Sequence, residues 1–385
     1  MADQIPALPL RLSAEEAQVT ALVGDAANTA SYVLDGATVA IGPLGTVIIT
    51  EAGDWGPDRS GVWNAEELRL FGPAPTSLTE RLTTRTGRDG TDGKVLPVHL
   101  MVRVEDGFLY LGVGRTAQVS QTLRPGQDHY ELTRAVIQFQ EPLSKPLLDR
   151  VRPPAAPVNL PGMEWLRHVG NDRSAALEQF VTGWHPATET PDIPPTELMT
   201  EVIPDSLRRL YRLAAQRPAV LGVQNSIRPP SDLRVDERGE MLVFGVENQG
   251  GFTWSLWWPL HQGERDPIVW FLDDTETPIA EQEPLSGFLL QFSLFEASMG
   301  ADYLALPRSQ QLTAQKVDQL TEQLLPVPLR PFWPWAPTRF YVAPGLVLHV
   351  CEVDGGKFEA WAGATHRTAL APLADAPVEW LRFDG

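Results

Sequence analysis

The sequence predicts an α+β protein. A β-rich N-terminal domain spans 1–157, a helical connector spans 158–194, and a second α+β domain spans 195–385. In that last domain a twisted, mostly antiparallel sheet is packed by helices. Three observations carry this reading. Val95–Val104 and Phe108–Gly114 are apolar runs joined by Glu105-Asp-Gly107, a hairpin pattern. Met241–Val246 and Phe252–Trp258 flank the turn Glu247-Asn-Gln-Gly-Gly251, whose glycines permit dihedrals closed to other residues. Pro284–Met299 is an apolar helix: Leu285, Phe288, Leu289, Phe292, Phe295 and Met299 share a face that Leu290 and Leu294 widen, which implies deep burial.

The other elements follow in chain order. Ala30–Ala40 and Gly45–Thr50 read as strands about the Gly42-Pro43 turn. Residues 82–94 form a loop rich in Gly, Thr and charge, and Pro97 argues for an edge or early strand position. Arg152–Pro157 is a proline-rich linker, Leu160–Phe180 has helical character, and the prolines of 186–195 prevent a regular helix. Ile203–Ala214 fits an amphipathic helix capped by Asp205 or Ser206. Asp266–Phe271 is a short strand, Arg339–Val350 a strand pair turning at Pro344-Gly345, Phe358–Thr365 a strand and turn, and Thr368–Leu373 a short helix.

Apolar residues make up 43% of the chain and charged residues 21%, an ordinary globular balance. The net charge of −18 disfavours nucleic acid and anionic membranes and suits a basic partner. The N-terminus lacks the basic and apolar regions of a signal peptide, and no run of 18 apolar residues occurs, so a cytoplasmic location is expected. Cys351, the single cysteine, lies in an apolar strand pattern and reads as a buried structural thiol. His261, His349 and His366 show no metal-binding spacing, and His349 is expected to share a strand face with Cys351. Gly112-Val-Gly114 lacks a phosphate-loop pattern and reads as tight packing; Tyr110 and Arg115 are candidates for a groove or for ordinary strand-surface roles. No catalytic, cofactor or metal site is expected, and the chain reads as a binding protein rather than an enzyme.

The motifs Val-Glu-Asn-Gln-Gly, Asp266-Pro-Ile-Val269 and Leu285-Ser-Gly-Phe-Leu-Leu-Gln291, in this order, resemble a bacterial branch of the SMI1/KNR4 (SUKH) superfamily. The resemblance covers roughly 195–375 and leaves 1–157 outside it. It implies a SUKH-like sheet-and-helix domain that binds a protein partner. Its most familiar bacterial use is an immunity or antitoxin role, in which a toxin's active site is occluded.

The residues expected to contact a partner are Glu247, Asn248, Trp257, Trp258, Asp273, Asp274 and Glu276. Glu247 and Asn248 sit at the family-like turn, where a structural role competes with contact. Strand alternation places Trp254 opposite Trp257, so one is core and the other exposed. Trp258, Trp270, Trp333 and Trp335 divide between core and interface in the same way. Asp273, Asp274, Glu276, Glu281 and Glu283 form an acidic cluster that would steer a basic toxin or serve as a helix-entry field. Two further readings stay open: a scaffold joining two partners, and a hydrolase with an interdomain site.

Overall fold

The computed structural model describes residues 21–385 apart from 25–27, 35, 52–60, 64, 84–95, 105–106, 124–129, 145–146, 149–150, 152–157, 189–202, 261–264, 274–276, 309–311, 334–335 and 354. It is a mixed α+β protein with several sheets. The chain divides into two compact units, Met1–Ala156 with Arg382–Asp384, and Pro157–Leu381 with Gly385. Among the described residues no helix is long and apolar enough to cross a membrane.

The first unit holds β1 (Ala30–Leu34), β2 (Ala37–Ile41), β3 (Thr46–Glu51), β4 (Val62–Trp63), β5 (Glu67–Ala74), α1 (Thr76–Thr83), β6 (Val98–Val104), β7 (Gly107–Leu123) and β8 (Tyr130–Phe139). They form one sheet in the order β1-β2-β3-β6-β7-β8-β5-β4, with β3 and β6 parallel. The single strand expected over 30–40 is a hairpin, because Gly36 adopts a φ of 86° and lets Leu34 pair with Ala37. Pro97 stands just before β6 and leaves its ladder intact. Gly114 is there for close packing: a Cβ would meet the Ile137 side chain at 2.7 Å. Tyr110 and Arg115 have strand-surface partners, His99 Nδ1 at 3.0 Å and Gln138 Oε1 at 2.9 Å.

The second unit opens with α2 (Arg173–Trp184) and α3 (Asp205–Ala214). Residues expected to be a connector supply Trp165, Val169, Phe180 and Val181 to its core. One sheet runs β10 (Arg234–Val235), β11 (Met241–Val246), β12 (Phe252–Trp257), β13 (Ile268–Asp273) and β14 (Ile279–Pro284), and β9 (Ser226–Ile227) pairs with β11. The helix α4 (Leu285–Met299) follows, then β15 (Tyr303–Pro307) and α5 (Ala314–Thr321). The remaining strands are β16 (Leu325–Pro326), β17 (Thr338–Ala343), β18 (Leu346–Val353), β19 (Lys357–Ala364) and β20 (Trp380–Phe383), in a sheet ordered β16-β17-β18-β19-β15-β20.

Both of these sheets are antiparallel wherever register is set. The helix α4 packs against β13 and β14 of one, β18 and β19 of the other, and α2 and α3. This explains its all-round apolar sequence: residues from Gly287 to Ser298 are buried without interruption.

Three buried carboxylates inside this core are paired. Glu296 on α4 accepts the N–H groups of Val223, Gln224 and Asn225 at 2.8, 2.6 and 3.0 Å. Glu281 accepts from Trp254 Nε1 at 3.1 Å and from the Trp333 N–H at 3.3 Å. Glu283 accepts from Arg173 at 2.5 Å and the Arg330 N–H at 2.9 Å. Glu281 and Glu283 are only 6% and 5% exposed, so the expected acidic docking cluster loses both to the interior.

Burial raises the Glu281 carboxyl to about 8, and burial lowers the His349 imidazole to about 3. Glu281 therefore stabilises the fold fully below the unfolded carboxylate value and loses that contribution as pH rises through about 8. His349 acts in the opposite sense: its contribution is complete above the unfolded imidazole value and is lost as pH falls toward about 3. Above the ordinary histidine range Glu281 is unopposed by His349. The expected result is that wild-type stability falls between pH 6.5 and 8 by up to about 1.4 kcal/mol per pH unit from this group. The Glu281→Gln slope should be flatter over the same interval in paired denaturant titrations; equal slopes would remove Glu281 as the cause.

Candidate partner-binding face

The β11–β14 sheet has two unlike faces, set by the period-two alternation of its strands. Phe244, Trp254, Leu256, Val269 and Phe271 point inward and are buried with α4. The register pairs Ser255 with Trp270 and Met241 with Trp257, which puts Ser255, Trp257 and Trp270 on the outer face. Trp257 is 44% exposed and Ile268, at the start of β13, is 48% exposed. Trp257 meets Trp270 edge-on, with ring centroids 5.8 Å apart. Beneath them Ser255 is fully buried, and neither Ser255 Oγ nor Trp270 Nε1 has a hydrogen-bond partner among the described residues. The opposition of Trp254 and Trp257 expected from alternation is thus realised, with Trp254 the core member.

The expected contact residues fall into two groups at opposite ends of the hairpin. Phe252 to Trp257 is five strand steps, about 17 Å. Trp257 and Trp258 stand at the far end, where the half-buried Trp258 donates its N–H to Glu240 O at 2.6 Å. Glu247 and Asn248 stand at the turn. Glu247 Oε2 accepts from the N–H groups of Gln249 at 2.8 Å and Gly251 at 3.1 Å, so this carboxylate clasps its own turn. Asn248 is exposed at the tip.

Asp273 pairs with Phe252 and shares the parity of Val269 and Phe271, which puts it on the inward-facing side of the sheet at its rim. It does not share a face with Trp257. Asp274 and Glu276 lie outside the described residues, as do His261 and Trp335. Trp333 is partly buried against the core. Ile268 and Ser255 were not anticipated as members of the face. The signal for Ile268 was the alternation after Pro267, which places Ile268, Trp270 and Leu272 together.

Two nucleophile–histidine arrangements also have defined geometry. Ser298 Oγ donates to Phe295 O at 2.8 Å, so it accepts from His349 Nδ1 at 2.8 Å. A histidine that donates to the serine is not positioned to take its proton. Cys351 shares a strand face with His349, as expected, but its sulfur lies 3.0 Å from Thr338 Oγ1, and burial raises the thiol to about 11. His349 and Cys351 are 4% and 1% exposed, and the strand that carries them is buried on both faces from Leu346 to Cys351. Both pairs act as core hydrogen bonds. Among the described residues no three His, Cys, Asp or Glu side chains cluster as metal ligands.

No protein-family model matches this chain, and neither a curated protein nor a solved structure matches it at a significant level.

Proposed function

We propose that this chain is a protein-binding protein of the SUKH kind that docks a partner on the outer face of the β11–β14 sheet. The observation that carries the reading is the pairing of exposed Trp257 and Ile268 with the half-buried Trp270 on a face built from aromatic and aliphatic side chains. Rigid aromatic rings bury large area at small entropic cost and anchor interfaces. The unpartnered Ser255 Oγ and Trp270 Nε1 would gain from polar groups brought by a partner. The resemblance over 195–375 and the antiparallel sheets packed on α4 fit the same reading. The net charge of −18 favours a basic protein, and neutralisation of a toxin by covering its active site is the specific role we assign.

The test is capture of a basic protein by the intact chain, repeated with Trp257→Ser/Ile268→Ser. The double variant should bind at least about 30-fold more weakly, the loss of a hot spot worth about 2 kcal/mol. Its melting temperature should change little, because both side chains are exposed. Undiminished binding by the variant would move the interface elsewhere. Separate partners held by the two compact units would favour the scaffold reading instead.

A further inference from the structure

A second, chemically different site lies at the start of three helices in the second unit. α2, α3 and α4 each carry a serine at their second residue: Ser174, Ser206 and Ser286. All three line one cleft, with a narrow part of about 250 Å³ that widens into a region of about 510 Å³. Arg173 and Arg209 line both parts, Arg212 the narrow part and Arg265 the wide part. Four arginines thus line this cleft, three in each part, on a chain of net charge −18.

The three helix starts are not equivalent. Asp172 caps α2 by accepting the Ala175 N–H at 3.0 Å. Asp266 caps α4 by accepting the Ser286 N–H at 2.8 Å and its hydroxyl at 2.6 Å. The helix α3 has no such cap among the described residues: Arg208 N–H bonds Pro204 O at 3.0 Å, so its N-cap is Pro204 rather than the expected Asp205 or Ser206. Asp205 instead accepts from Arg208 at 2.6 Å. The first amides of α3 have no acceptor inside the helix and carry its positive end. Ser206 is 7% exposed, lines the cleft, and its hydroxyl has no hydrogen-bond partner among the described residues. A buried, unpartnered hydroxyl beside an uncapped helix start is a donor set lacking its acceptor.

The charges sort by position. Arg173 is paired with Glu283, and the carboxylates of the wide part, Asp172, Asp205 and Asp266, are engaged as described. Arg209, Arg212 and Arg265 are exposed and make no ion pair among the described residues. The narrow part holds Arg209 and Arg212 against a single carboxylate, Glu178, with Leu177 and Leu213 as its apolar wall. Donors in several directions suit a tetrahedral oxyanion better than a planar carboxylate.

We infer that this cleft binds a phosphate group, with the anion at the uncapped start of α3 between Ser206, Arg209 and Arg212. The group comes either as inorganic phosphate or on a small organic monoester whose body lies on Leu177 and Leu213.

The test uses the intact chain, with inorganic phosphate and phenyl phosphate titrated separately against sodium chloride of matched ionic strength. Calorimetry and melting temperature are the readouts. Saturable binding is expected, weakened about tenfold or more in Arg209→Ala/Arg212→Ala, whose side chains are exposed. Glu178→Gln should bind more tightly. Ser206→Ala should bind several-fold more weakly while melting no lower than wild type in phosphate-free buffer, because it removes an unsatisfied hydroxyl. Tighter binding of phenyl phosphate identifies the organic monoester, and equal binding identifies the free ion. Absence of saturable binding by either probe, or equal binding by the double arginine variant, overturns the inference.

Discussion

Trp254→Ala is expected to destabilise the second unit by about 4 kcal/mol, the range for emptying a large aromatic site in a packed core. Trp254 is fully buried. Its ring contacts Phe252, Phe288, Phe292 and Phe332 at centroid distances of 5.0, 5.5, 5.9 and 6.1 Å. These rings come from β12, from α4 and from the segment before β17, so the cavity would open where sheet and helix meet. The substitution also removes the indole N–H from Glu281, leaving that carboxyl the Trp333 N–H as its donor among the described residues. Trp254→Phe keeps the aromatic packing and loses the hydrogen bond, and should cost about 1–2 kcal/mol. Urea titrations followed by circular dichroism would order the three proteins. A loss below about 1 kcal/mol for Trp254→Ala would show that the aromatic cluster collapses around the gap.

Glu296→Leu should cost about 3 kcal/mol. The carboxylate gathers three successive amides, Val223, Gln224 and Asn225, onto α4. Burial raises its proton affinity more than these three donors lower it. Leucine fits the apolar setting of the helix but leaves the amides with nothing to bond. Asn225, 3% exposed, has the least recourse to water. Hydrogen exchange at 223–225 should accelerate in the variant while exchange in β18 and β19 stays slow. Unchanged protection at these three amides would mean that the segment is held by contacts other than Glu296.

Much of this was legible in the residues. The sixteen-residue run Pro284–Met299, with an apolar face widened by Leu290 and Leu294, implied a deeply buried helix, and α4 is enclosed. Alternation separated Trp254 from Trp257 because a strand's side-chain period leaves no other choice.

Parity failed for the acidic residues for a different reason. Glu281 and Glu283 alternate as inward residues of β14, yet a carboxylate is placed inward only when donors wait there. Those donors, Trp254 Nε1 and the N–H groups of Arg330 and Trp333, come from distant parts of the chain. Asp273 was grouped with its sequence neighbours, whereas its face is set by its pairing with Phe252. The cleft at the helix starts was invisible for the same cause: Arg173, Arg209 and Arg265 stand far apart in sequence, and each alone is an ordinary surface arginine. Asp205 or Ser206 looked like the cap, and only the bond from Arg208 to Pro204 shows that the cap is Pro204, one or two residues earlier.

The enclosure of α4 has a consequence for unfolding. A helix that gives apolar side chains to two sheets cannot leave either without exposing the other, so neither sheet can melt alone and remain native on its other half. The second unit should therefore lose both sheets in one sigmoidal transition, with coincident midpoints whether the probe sits on β12 or on β18. A break engineered after Gly300 would yield two fragments that must find each other to fold, each holding one wall of a shared interior.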